Sequence, residues 1–93
     1  MSYSPKLVEQ IKALPVDSLN AKLGRWAVYL DISAAQIAQA TGATRQSVYN
    51  WFRGGNILGA YRPAVQHLIE VMKTCKTSEE TWRKVCQAFN LPN

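Results

Sequence analysis

Acidic residues are missing from the middle of this 93-residue chain. Asp31 and Glu70 bound an interval of 38 residues that contains no Asp or Glu. The same interval contains Arg45, Arg53 and Arg62. Because a carboxylate repels a phosphate and an arginine attracts it, we expect this part of the chain to face a polyanion. The formal net charge of +5 favours the same kind of partner.

Cysteine and histidine are scarce. Cys75 and Cys86 stand eleven positions apart, and His67 is the one histidine in the sequence. This spacing does not fit a zinc site or a disulfide scaffold, so we expect two buried free thiols and no metal or cofactor. The sequence also lacks a glycine-rich phosphate cradle, a Ser/His/Asp set and paired carboxylates in a pocket-forming context. These absences argue against an enzyme, and no catalytic residue is predicted.

Long apolar runs and strand-like alternation are absent as well. No stretch is long enough to cross a membrane and no signal peptide is visible, so we expect a cytoplasmic protein without a membrane or small-molecule partner. With 47% hydrophobic residues and three tryptophans, the chain can form one globular domain over residues 1–93. Its apolar residues recur at helical spacing, which predicts an all-α fold.

Helix boundaries follow from capping residues and apolar stripes. A helix over residues 4–14 is expected to act as a packing strap, with a dimer contact as the alternative. The next helix is capped by Asp17 or Ser18. After a central motif, residues 62–63 open a fourth helix, and a second capping box over residues 77–80 opens a fifth. The expected architecture is a single-domain five-helix bundle.

The central motif, residues 33–54, is predicted to be a helix-turn-helix. Ser33 is a good N-cap and Gln36 completes a capping box, so a short helix begins there. Gly42 can adopt the left-handed conformation that ends this helix, and Thr44 caps the second one. The side chains expected to point inward are Ile37, Ala38, Val48 and Trp51.

The residues that carry a family resemblance are Ser33, Ile37-Ala38, Gly42, Thr44-Arg45, Val48, Trp51 and Arg53-Gly54. This stretch of 22 residues resembles the Cro/phage-repressor (XRE-type) helix-turn-helix family. The resemblance implies a lambda-repressor-like bundle whose second motif helix reads bases in the major groove of double-stranded DNA. By position, the base-reading residues would be Thr44, Arg45, Gln46, Tyr49 and Asn50. Arg45 could pair with guanine and Gln46 with adenine.

Contacts to the DNA backbone are expected around the same helix. The residues predicted to contact phosphate are Ser47, Arg53, Gly54, Gly55, Asn56 and Arg62. The glycines after the motif either let main-chain N–H groups approach phosphate or form a flexible connector. Family members usually place a phosphate-contacting Gln at the first position of the first motif helix. Here that position is Ala34, so one positioning contact is missing.

These features predict a sequence-specific transcriptional regulator, nucleoid-associated when bound in a bacterial or phage-infected cell. The simplest form is a repressor that binds an inverted-repeat operator as a homodimer, because one short helix reads too few base pairs. The predicted dimer interface is Trp82, Phe89 and Leu91, although these residues could instead fill the monomer's core. Residues 59–63 also resemble a loop of small phage autoregulators associated with anti-CRISPR operons, which favours a phage or mobile-element regulator.

Other interpretations of the motif fit less well. A small-terminase-like packaging or assembly protein needs a long oligomerisation segment, and about 31 residues follow the loop. A protein-interaction module could use the alanine-rich first motif helix, but the absence of acids near the second motif helix argues against it. The third helix of a homeodomain carries an adenine-reading Asn two positions beyond its Trp-Phe pair, and Gly54 stands there in this chain.

Overall fold

The computed structural model describes residues 3–92, and these residues form six α-helices. In chain order they are α1 Pro5–Lys12, α2 Leu19–Leu30, α3 Ala34–Thr41, α4 Arg45–Phe52, α5 Arg62–Met72 and α6 Ser78–Ala88. No strand occurs in these residues, which confirms the all-α prediction. None of these helices is long and apolar enough to cross a membrane.

The predicted count of five helices was wrong, because the central motif contributes two separate helices. Ser33 caps α3 and bonds reciprocally with Gln36, as the capping box requires. Gly42, with φ of +81°, ends α3 in the left-handed conformation. The Thr44 hydroxyl then accepts from the N–H of Ser47 and starts α4. Each helix therefore has its own cap, and a three-residue turn separates them.

The other capping predictions are confirmed at Ser18 and only half confirmed at Thr77. The Ser18 hydroxyl accepts from the Ala21 N–H and begins α2. The Thr77 hydroxyl likewise accepts from the Glu80 N–H. The Glu80 carboxylate, however, accepts from the N–H of Lys76 at 2.8 Å, and this bond lowers the pKa of Glu80. The return bond of the α6 capping box is thus made by the N–H of Lys76, one residue before the expected N–H of Thr77.

The core lies where α2 packs against α1, α4 and α5, with α3 and α6 closing its sides. The predicted inward residues of the motif are all buried. Phe52 is also fully buried, although its place at the end of α4 gave no such signal. Cys75 and Cys86 are buried and free, as predicted. The side chains that are less than 2% exposed include Ile11, Leu23, Ile32, Ile37, Ile57, Leu68 and Met72.

The first helix is fixed to the rest of the bundle at both ends. The Tyr3 hydroxyl donates to the Ile32 carbonyl, and its ring meets Phe52 edge-on at 5.4 Å. Burial raises the pKa of the Tyr3 phenol, so the hydroxyl keeps the proton that it donates. Further along α1, Ile11 packs on Gly24 of α2. These contacts hold α1 against both α2 and α4.

Candidate nucleic-acid interface

One face of α4 is polar and open to solvent. Arg45, Gln46, Asn50 and Arg53 are exposed on it, while Val48, Trp51 and Phe52 are buried on the other face. The division follows from helical periodicity, because residues three and four apart share a side. Four of the residues predicted to contact DNA are therefore brought together on one short helix and its C-terminal cap.

Thr44 and Ser47 are linked to each other at the start of α4. The Thr44 hydroxyl accepts from the Ser47 N–H at 3.1 Å and donates to the Ser47 hydroxyl at 3.0 Å. Since a hydroxyl has one proton, Thr44 is committed as a donor within the chain. Ser47 keeps its own hydroxyl proton, which can bond to an anionic oxygen beside α4.

Tyr49 occupies a more enclosed position than its neighbours on this face. It is half-buried, and its ring meets Phe52 edge-on at 6.3 Å between centroids. The guanidinium carbon of Arg53 lies 6.0 Å from the centroid of the same ring. A cation over an aromatic face is attracted to it, so Tyr49 restricts where Arg53 can go. Tyr49 is thus both a surface residue and a support for Arg53.

Three polar concave surfaces surround α4, and Arg53 lines all of them. One runs along the helix itself, between Arg45, Gln46, Tyr49 and Arg53. The second lies between α4 and the loop that follows it. The third lies between α4 and α1. A single residue therefore contributes to three of the concave surfaces found within residues 3–92.

The loop after α4 is held by Asn20 of α2, a residue that sequence patterns did not mark. Its side-chain amide donates to the carbonyls of Trp51 at 2.8 Å and Gly55 at 2.7 Å. Gly54 has φ of +94°, where glycine is favoured. These contacts hold the start of the loop against α2.

The two glycine N–H groups of this loop are used within the chain. Gly54 donates to the Trp51 carbonyl at 3.0 Å, and Gly55 donates to the Asn50 carbonyl at 2.7 Å. Gly55 approaches so closely that an added Cβ would lie 2.8 Å from that carbonyl oxygen. The expectation that Gly54 and Gly55 contact phosphate through their N–H groups therefore has to be corrected. Their glycine character is required by the turn itself.

Side chains of the loop supply its outer surface. Asn56 and Leu58 are exposed, and both line the groove beside Ser47 and Asn50. Tyr61 packs its ring 5.7 Å from that of Trp51 and closes the far end. Arg62, the first residue of α5, is exposed but lies outside the three concave surfaces around α4.

Ala34, where one positioning contact is predicted to be missing, is buried in the structure. Ala34 is 2% exposed and belongs to the hydrophobic core. A long polar side chain could not reach solvent from this position without disturbing the packing of α3. Ala34 therefore offers no side chain for the positioning contact that is predicted to be missing.

The residues predicted for a dimer interface are partly used inside the monomer. Trp82, Phe89 and Leu91 are half-buried and pack against the core. Phe89 also lies 4.9 Å from the ring of His67 on α5. Part of each side chain is still exposed, so a contact with a second copy stays a prediction.

α4 and the loop that follows it contain no acidic residue. The ion pairs within residues 3–92 lie on α1, α5 and α6, and each joins a lysine to a glutamate three or four positions away. None of them involves Arg45, Arg53 or Arg62. In the same part of the chain, no group of three or more His, Cys, Asp or Glu side chains could hold a metal ion.

Comparison with known proteins gives no relative from which a role could be transferred. The chain matches no protein-family model, no curated protein and no solved structure.

Proposed function

We propose that this protein binds double-stranded DNA in a sequence-specific manner and regulates transcription. In this proposal α3, the turn at Gly42 and α4 act as a helix-turn-helix within a lambda-repressor-like bundle, with α4 as the recognition helix. The observation that carries the proposal is the exposed polar face of α4. Its arginines have no acidic partner among residues 3–92, and no acid occurs between Asp31 and Glu70.

Base readout would come from the first turns of α4. An α-helix fits the major groove of B-DNA, where each base pair presents its own pattern of donors and acceptors. Arg45 can make two hydrogen bonds to guanine, and Gln46 can do the same with adenine. Asn50 lies one turn further along and can contact the next base pairs. Thr44, whose proton is used within the cap, would take part as an acceptor, and Tyr49 would contribute its ring edge.

Phosphate contacts would set the register of α4 in the groove. Ser47 has a hydroxyl proton to donate, and Arg53 and Arg62 supply charge. At the loop, the Asn56 side chain takes the role first expected of the glycine N–H groups, because those groups are engaged elsewhere. These contacts carry little sequence information, but they provide most of the salt-dependent affinity.

Repression would follow from two copies occupying a promoter. The exposed face of α4 spans only two turns, so one copy would read a few base pairs, too few to select a site in a genome. A two-fold dimer places its recognition helices about 34 Å apart in successive major grooves. We assign the contact to α6 and the segment after it, where Trp82, Phe89 and Leu91 are partly exposed. Sedimentation over a range of protein concentrations tests this, since a monomer with a single-half-site footprint would contradict it.

The experiment that tests the main proposal is selection of bound duplexes from a random pool. We expect a short inverted repeat to be enriched. On that site, Arg45→Ala should weaken binding by about 5- to 150-fold and relax selection at one base position, as the loss of a bidentate base contact predicts. Arg25→Ala is the matched control, because Arg25 is an exposed arginine on α2. A pool that yields no preferred sequence would refute the proposal.

A further inference from the structure

A polar groove lies between α4 and α1, a helix outside the helix-turn-helix. It has a volume of about 460 Å³. Lys6 and Gln10 line it from α1, Tyr49 and Arg53 line it from α4, and Tyr3 lies between the two helices. Lys6 and Gln10 are one helical turn apart, so their side chains share one side of α1.

Both walls of this groove carry a positive charge. Lys6 stands on one wall and Arg53 on the other, and no acidic residue lines the groove. The one acid of α1, Glu9, lies outside the lining, with its carboxylate 3.9 Å from the Lys12 ammonium group. The arrangement suits singly charged oxyanions, because the Lys6 ammonium, the Gln10 amide and the Arg53 guanidinium can each donate a hydrogen bond to one.

The α1 wall is held firmly in place. Tyr3 bonds to the Ile32 carbonyl and packs against Phe52 of α4. Ile11 is 1% exposed and packs on Gly24. A wall fixed by the core costs little conformational entropy when it binds a ligand. This contrasts with an arm that becomes ordered only on binding.

The position of the groove indicates which anion it receives. Two grooves flank α4 on different sides, one shared with α1 and one shared with the loop that contains Asn56. A helix inserted into a major groove about 12 Å wide has a phosphate backbone on each side. One flanking groove can therefore meet one DNA strand while the other meets its complement.

We propose that α1 is the second wall of the DNA interface and that Lys6 and Gln10 bind backbone phosphates of the strand opposite to the one contacted by the loop. This rests on the proposed function. It gives α1 a role in binding beyond packing, and it makes Arg53 a residue shared by both strand contacts.

Salt dependence tests the charge at Lys6. On the duplex selected from the random pool, Lys6→Ala should lower the slope of log affinity against log salt by about 0.9, the value for one lost phosphate contact. Gln10→Ala should weaken binding and leave the slope unchanged, because the lost group is neutral. Lys12→Ala is the control, since Lys12 is also an exposed lysine of α1 but does not line the groove. It should leave the slope as in wild type.

The strand assignment is tested by replacing single phosphates with neutral methylphosphonates. In wild type, neutralising the contacted phosphate should weaken binding, and Lys6→Ala should reduce the loss caused by that replacement, because one contact to the phosphate is already gone. Asn56→Ala should remove sensitivity at a phosphate of the other strand. If the wild-type protein binds with sequence preference but Lys6→Ala keeps its full salt slope, the role of α1 is refuted while the proposed function stands. If the wild-type protein selects no duplex, both fall.

Discussion

Asn20 offers the sharpest test of how the loop after α4 is held. Its amide makes two hydrogen bonds to backbone carbonyls that lie 31 and 35 positions away in the sequence. A typical intramolecular hydrogen bond contributes about 1 kcal/mol to stability, so Asn20→Ala should cost about 2 kcal/mol. For a domain of this size, that lowers the Tm by about 8–16 °C. Asn20→Asp should cost more, because a carboxylate would face two carbonyl oxygens without a proton to donate.

Thermal unfolding followed by circular dichroism measures this loss directly. Asn56→Ala is the matched control, because it makes the same substitution at an exposed asparagine of the loop that Asn20 holds. We expect that variant to unfold at the wild-type temperature. The reasoning about the loop would be refuted if Asn20→Ala unfolded there too, or if it lost stability no greater than the control.

Three further substitutions probe the packing and the charge around α4. Gly24→Ala should destabilise the protein by about 1–3 kcal/mol, because the new Cβ would lie 2.7 Å from the Ile11 side chain. This loss should outweigh the better helix propensity of alanine. Chemical denaturation measures the change, and a gain in stability would contradict the packing of α1. Gly55→Ala should weaken DNA binding, because its Cβ would lie 2.8 Å from the Asn50 carbonyl oxygen and displace the loop. Unchanged affinity in a titration would show that the loop geometry is irrelevant to binding. Arg62→Ala should weaken binding to all duplexes equally and lower the salt slope by about one unit; a changed base preference would exclude a phosphate role.

The local parts of the fold could be predicted from the sequence because their causes are local. A capping box, a left-handed glycine and a hydroxyl cap each involve residues within four positions of one another. Ser33, Gly42 and Thr44 therefore located α3, the turn and α4 correctly. The error in helix number came from counting the motif as one unit, which its separate caps contradict.

The contacts that shape the candidate site could not be predicted because they join distant parts of the chain. Asn20 looks like an ordinary polar residue of an amphipathic helix, and only the folded chain brings it to the carbonyls of Trp51 and Gly55. Lys6 and Gln10 precede the motif by more than twenty positions, and only the packing of α1 places them beside Arg53. The glycines of the loop suggested open N–H groups, but the structure uses them in the turn.

Under the proposed function, the position of Arg53 at three concave surfaces has a consequence for how the DNA target could change during evolution. A substitution at Lys6 or Arg45 alters one surface and leaves the others intact. A substitution at Arg53 alters all three at once, so its effect would not equal the sum of separate losses. Single substitutions at residues that line only one surface can therefore change the binding preference gradually. A substitution at Arg53 would have to be accompanied by compensating substitutions on the other surfaces.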